Sequence, residues 1–218
     1  MRPQSLPTRR NVTVNCGMAR SGKTTLGIRW LINAPLHYRF IFDPDPGEND
    51  PTIGEYAFRL RQPPAREPHE LNEALCRGVV CYDPYTMFPG ECEKGFEFFC
   101  QWAFDLANRL PGQKVFVVDE AWRHCSPHAI PFHFARVIKE GGKRRLATLV
   151  NTQEPQKLNG RITAEMSELI CFRLQHPAAL DFVEEHGFSR EEIKGLQPLH
   201  CVARNLDTGG ELRGALKF

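Results

Sequence analysis

The chain has 218 residues, 41% of them apolar and 25% charged, with a net charge of +2. That length suits a single domain with a substantial core. No apolar run approaches the ~20 residues that a membrane-spanning helix needs. The near-neutral balance means that any surface for nucleic acid must be local.

Residues 1–10 are basic, lack the apolar core of a signal peptide and read as a flexible arm before a domain spanning residues 11–218. Asn11 to Cys16 alternates as a strand, and Gly17-Met18-Ala19-Arg20-Ser21-Gly22-Lys23-Thr24 follows it, matching G-x-x-x-x-G-K-[ST]. A strand that ends in such a loop and opens into a helix, here from Thr25 to Ile32, turns backbone N–H groups inward as a cradle for phosphate oxygens. Gly17 to Thr25 are therefore the candidate nucleotide-binding residues. Lys23 would reach the β- and γ-phosphates and the Thr24 hydroxyl would bind Mg²⁺.

Tyr38 to Asp43 reads as a strand, and residues 44–68 as an irregular insertion carrying Arg59, Arg61 and Arg66. A short helix is expected over His69–Cys76, a strand over Gly78–Asp83, and a helix over Glu93–Leu110 whose apolar stripe packs on a sheet. Lys114 to Asp119 is a continuous apolar run, as a buried parallel strand requires. It delivers Asp119 and Glu120 at its C-terminal end, where open α/β sheets bind ligands. Asp119 can hold the Mg²⁺ shell, and Glu120 can polarise an attacking water as general base. A helix near Ala129–Glu140, strands at Leu146–Asn151 and Leu169–Leu174, a helix over Pro177–His186 and a hairpin from Leu199 to Phe218 complete the pattern. Gln153, just past the strand at 146–151, would reach the γ-phosphate if that strand lies between the phosphate-loop strand and the Asp-Glu strand.

The eight cysteines contain no Cys-x-x-Cys pair, and several sit in apolar runs, so buried free thiols are expected. His124, Cys125, His128 and His133 match no common zinc spacing and are expected to line a helix after the Asp-Glu pair.

The order of phosphate loop, Ile41-Phe42-Asp43-Pro44, Val117-Val118-Asp119-Glu120, Asn151-Thr152-Gln153-Glu154-Pro155 and Ile170-Cys171-Phe172-Arg173-Leu174-Gln175 resembles the FtsK/HerA superfamily of DNA-pumping ATPases. Its small size is similar to the genome-packaging ATPases of tailless, membrane-containing viruses. The resemblance implies a RecA-like P-loop NTPase fold: α/β, with a central mainly parallel sheet flanked by helices and a C-terminal β-hairpin. It implies ATP and Mg²⁺ as cofactors, double-stranded DNA as partner, and a hexameric ring completed by a neighbour's arginine. It also implies work in the cytoplasm (a host's, for a virus) and docking on a capsid vertex or membrane protein. The family often has Gly-Arg-Lys before the sensor strand, where this chain has Glu140-Gly141-Gly142-Lys143-Arg144-Arg145. Arg144 is the first candidate for the trans arginine, then Arg145 and Lys143, with Arg136 and Arg173 behind. A solvated basic turn is the plain alternative. A motor that moves protein or single-stranded DNA, and a small-molecule kinase, are the competing functions.

Overall fold

The computed structural model describes residues 12–43 and 64–216. The expected basic arm, Arg59 and Arg61, residues 44–63 of the insertion and the last two residues of the hairpin lie outside them. Eight strands form one sheet among the described residues: β1 (Val12–Cys16), β2 (Tyr38–Phe42), β3 (Val79–Tyr82), β4 (Lys114–Val118), β5 (Leu146–Thr152), β6 (Met166–Cys171), β7 (His200–Asn205) and β8 (Glu211–Ala215). Their order is β3-β2-β4-β5-β1-β6-β7-β8, parallel from β3 to β6 and antiparallel from β6 to β8. The sheet is thus mainly parallel, with the expected C-terminal hairpin.

The central strands β4 and β5 are buried along their whole length, which is why Val115–Val118 reads as an unbroken apolar run, while β5 also buries Thr148, Asn151 and Thr152. One face packs Phe40, Phe42, Phe116, Val118 and Val150 against α3 (Cys92–Ala107), α4 (Phe132–Glu140) and α6 (Pro177–Glu185). The other packs Ile41, Val115, Val117 and Leu149 against α1 (Lys23–Asn33). Arg39 closes the far end of α1: its guanidinium donates to the Leu31, Ala34 and Leu36 carbonyls at 2.8, 3.3 and 3.0 Å. A cation on the carbonyls at this end of the helix also complements the helix dipole.

Several expectations are corrected. The end of the insertion belongs to the core: Ala65 is buried and bridges Tyr82, and α2 (Pro68–Cys76) starts with a capping box between Glu67 and Glu70 and Pro at its first position. The strand expected at Leu169–Leu174 runs three residues earlier. Met166 to Glu168 join it because Ser167 Oγ donates to the Val12 carbonyl and Thr13 Oγ1 to Glu168, so neighbouring residues satisfy its polar groups. Two short helices were not expected, α5 (Gly160–Glu165) and α7 (Arg190–Gly195). The histidines do not line one helix. Ala121–Arg123 is a single 3₁₀ turn, α4 begins only at Phe132 after Pro131, and His124 is packed between Phe42 and Phe96. No metal-binding group of His, Cys, Asp or Glu occurs among the described residues. The cysteines are free, and six of the eight are buried.

Candidate nucleotide site

The loop after β1 is shaped by what cannot fit beside it. A Cβ on Gly17 would lie 2.6 Å from both Phe172 Cβ and Ser21 Oγ, and Gly22 has φ 118° with Phe172, Leu199 and Leu216 at 3.0–3.2 Å from where a Cβ would be. Both positions therefore require glycine. The loop is pinned to its surroundings through the backbone: Gly17 N–H to the Thr152 carbonyl at 3.3 Å, Met18 N–H to Arg173 at 2.9 Å, and Leu199 N–H to Ser21 at 3.1 Å. Met18, Ala19 and Arg20 form the exposed tip, with Arg20 itself at φ 58°. Gly22 caps α1, whose first residues are Lys23, Thr24 and Thr25.

Lys23 is 6% exposed, and its ammonium donates only inward, to the Gly17 carbonyl at 2.8 Å and the Met18 carbonyl at 3.0 Å. Burial lowers its pKa, opposed by the negative charges of Glu120 and then Asp119. A buried cation that curls onto the carbonyls of its own glycine loop, beneath a cradle closed to side chains, fits a phosphate group and the divalent ion that accompanies it. Thr24 on α1 and Asp119 at the end of β4 are the oxygen donors suited to that ion.

β5 lies between β4 and β1, the order that the Gln153 reading requires. Asp119, Glu120 and Gln153 consequently meet at the C-terminal edge of the sheet. Burial, then the charges of Glu120 and Asp43, push the Asp119 carboxyl up to about 6, while Lys23 and the Asn151 side chain oppose the rise. Glu120 has φ 46°, a left-handed backbone that a glutamate rarely adopts. Its carboxylate accepts three hydrogen bonds: from Gln153 Nε2 at 2.8 Å, from the Gln153 backbone N–H at 3.1 Å, and from Trp122 Nε1 at 2.7 Å.

The Gly141–Arg145 turn is elsewhere. It precedes β5, and the Lys114 N–H donates to the Arg145 carbonyl at the start of β4, so the turn sits at the N-terminal edge. The length of β5, about 20 Å, separates it from Gln153 in the same chain. Arg144 bonds Asn108 and the Glu140 carbonyl, pairs with the Glu140 carboxylate at 3.2 Å and covers the Phe104 ring at 4.3 Å. Arg136 covers the same ring at 4.3 Å. Lys143 and Arg145 are exposed. Arg173, in contrast, belongs to its own chain's phosphate loop: its carbonyl holds Met18, and its Nε is buried with no hydrogen-bond partner.

Sequence reasoning missed Asn15, Asp43 and Trp122. Asn15 Nδ2 donates to Asn151 Oδ1 at 3.1 Å between β1 and β5, a fully buried polar pair beneath the site. Asp43 was visible as a carboxylate at a strand end, but only the β2–β4 pairing brings it beside Asp119.

No protein-family model matches the sequence, and no curated protein matches it. Solved structures do. The genome-packaging NTPase B204 from Sulfolobus turreted icosahedral virus 2, in complex with AMP, superposes with a TM-score of 0.70 at 16% identity, over 95% of this chain and 98% of that one. The bacterial conjugative coupling protein TrwB gives 0.63 at 11% identity, over 99% and 86%. The cytoplasmic domain of the type VII secretion ATPase EccC from Thermomonospora curvata gives 0.55 at 12%, over 95% of this chain and 25% of that one. At such identities the likeness speaks for the fold, and the chain has the P-loop NTPase fold that these proteins share.

Proposed function

We propose that the protein is an ATP-hydrolysing motor that translocates double-stranded DNA, a viral genome-packaging ATPase working as a hexameric ring in the host cytoplasm. The observation that carries the reading is the convergence of Lys23, Asp119, Glu120 and Gln153 at one sheet edge around a glycine cradle. A kinase needs the cradle, but it does not need a carboxylate tied to a polar residue on the next strand. The likeness to B204, which is named for genome packaging, supports the DNA reading.

In this reading Gly17 to Thr25 hold ATP, and Lys23 neutralises charge on its phosphates. Thr24 and Asp119 hold Mg²⁺, which supplies charge neutralisation to the transferring phosphoryl group when bound. Glu120 takes a proton from the attacking water. Gln153, bonded to that carboxylate, senses the state of the site. Arg144 acts on the neighbouring subunit, because its edge is too far from its own chain's site.

DNA engagement should be sequence-indifferent and dominated by phosphate contacts, hence steeply salt-dependent. ATPase stimulation by random duplexes of equal length, over a salt series, tests this. Equal stimulation by all sequences, fading with salt, is expected. Complete indifference of an assembled, ATP-competent ring to DNA would leave a protein-moving motor ahead, the reading nearer to EccC.

A further inference from the structure

The loop after β4 and the loop after β5 are braced to each other at three points. Gln153 donates twice to Glu120. Asn159 Nδ2 donates to the Ser126 and Pro127 carbonyls at 2.9 and 3.1 Å. Between these, Lys157 places its ammonium 4.9 Å from the centre of the Trp122 ring, whose N–H donates to Glu120. The Arg123 guanidinium lies 5.7 Å from the same ring. Arg123 and Lys157 are both exposed, and Lys157 also pairs with Glu154 at 2.8 Å.

A carboxylate offers about four lone-pair positions, and the three donors on Glu120 take most of them. A general base must direct an oxygen at water within hydrogen-bonding reach. Glu120 as it stands is therefore held by its neighbours rather than free to hold water. Gln153, Lys157 and Asn159 share one loop, so a load on that loop reaches Glu120 along two routes, through Gln153 and through Trp122.

We propose that Trp122 is a positioning residue, and that it and Gln153 latch Glu120 in a resting orientation that polyanion binding at Lys157 and Arg123 releases. The cation–ring contact is weak where water reaches it. Phosphate oxygens form charge-assisted bonds with the same cations and compete well for them. The identity of the polyanion, the phosphate backbone of duplex DNA, rests on the motor reading; the latch on Glu120 rests on the geometry alone.

The test measures ATP turnover of the full chain with and without random-sequence duplex at low salt, for wild type, Trp122→Phe and Lys157→Ala. Phenylalanine keeps the ring and removes the N–H. It should raise the DNA-free kcat by about tenfold, the scale of one hydrogen bond to a charged acceptor, with KM for ATP unchanged. Stimulation by duplex should fall towards one. Lys157→Ala changes an exposed side chain, so it tests the latch even if Trp122→Phe fails to fold; it should lower the stimulation by about threefold, the scale of an exposed cation–ring contact. A DNA-free kcat at or below wild type in Trp122→Phe makes the indole an activator and overturns the latch. Unchanged stimulation in both variants overturns it while leaving the motor reading intact. A wild type that duplex does not stimulate overturns the duplex as trigger, and the DNA-motor reading with it, whatever the variants do.

Discussion

At the C-terminal edge of the parallel strands, Asp43, Asp83, Asp119 and Glu120 stand at the ends of β2, β3 and β4, and the charges of Glu120 and Asp119 act on the buried ammonium of Lys23. At the N-terminal edge the balance reverses: Lys114, Lys143, Arg144 and Arg145 gather at the starts of β4 and β5, with Glu140 among them. Burial, and to a lesser degree the nearby Arg145, lowers the Lys114 pKa, while its ammonium donates to the Leu110 and Gly112 carbonyls. The acidic edge is suited to a metal–nucleotide complex. The basic edge has cations and, among the described residues, no glycine cradle like that of Gly17 to Lys23. About 20 Å of strand keeps the two edges apart in one chain. In the ring proposed above, packing of subunits with the basic edge of one against the acidic edge of the next would resolve that separation.

Lys23→Ala breaks the acidic edge most severely. Loss of the buried ammonium beneath the cradle should abolish measurable ATP hydrolysis and sharply weaken nucleotide binding; titration with a fluorescent ATP analogue and a phosphate-release assay report the two. Unchanged turnover would remove this site from the chemistry.

Arg144→Ala probes the basic edge. A trans arginine is worth roughly 10³–10⁵ in rate in related phosphoryl-transfer systems, so the variant alone should be inactive. Mixed with Lys23→Ala subunits it should regain activity, because some interfaces then combine an intact cradle with an intact arginine. The competing outcome is structural. Arg144 is tied to Asn108, Glu140 and Phe104 in its own chain, and if those ties are its whole role, the variant loses stability but not turnover. Activity lost in Arg145→Ala instead would transfer the role to the neighbouring, exposed arginine.

Glu120→Gln separates binding from chemistry within the acidic edge. The amide is nearly isosteric, and nucleotide and metal should still bind, but it cannot take a proton. A drop of about 10²–10⁴-fold in kcat is expected for a lost general base. If Asp119→Asn stops turnover while Glu120→Gln leaves it near normal, the roles of the pair are exchanged.

The contrast between the edges was only half legible in the sequence. The cradle and the Asp-Glu strand are local patterns, and buried parallel strands announce themselves as apolar runs. The Glu120–Gln153 contact joins residues 33 apart, and no periodicity encodes it; the strand order had to be known. The shifted start of β6 was hidden because Ser167 and Glu168 look like loop residues until Val12 and Thr13 satisfy them. The α7 start did carry a signal, Ser189 three residues before Glu192, with Ser189 Oγ accepting from the Glu192 N–H. Trp122 had no signal at all, since its role depends on one N–H and on what stacks above it.

His124 gives the smallest effect, on stability rather than rate, and it tests how firmly the acidic edge is seated on the core. Burial, with a lesser push from Arg123, holds its imidazole down at about 4 against an ordinary 6.5, wedged between Phe42 and Phe96. Between those two values the unfolded chain carries the proton and the folded one does not. Stability is therefore full above pH 6.5 and falls as the pH drops towards 4, by at most about 3 kcal/mol from a shift of this size. Asp119, held up at about 6, works in the opposite direction, because the folded carboxyl takes its proton before the unfolded one does. The total pH profile is thus a difference of the two, and His124→Phe isolates the histidine. Urea midpoints of wild type and variant, measured from pH 7.5 to 4, should converge or cross as the pH falls, with wild type losing ground steadily. Parallel curves would mean that His124 is hydrated in solution, and that the acidic edge is seated on the core less firmly than its packing implies.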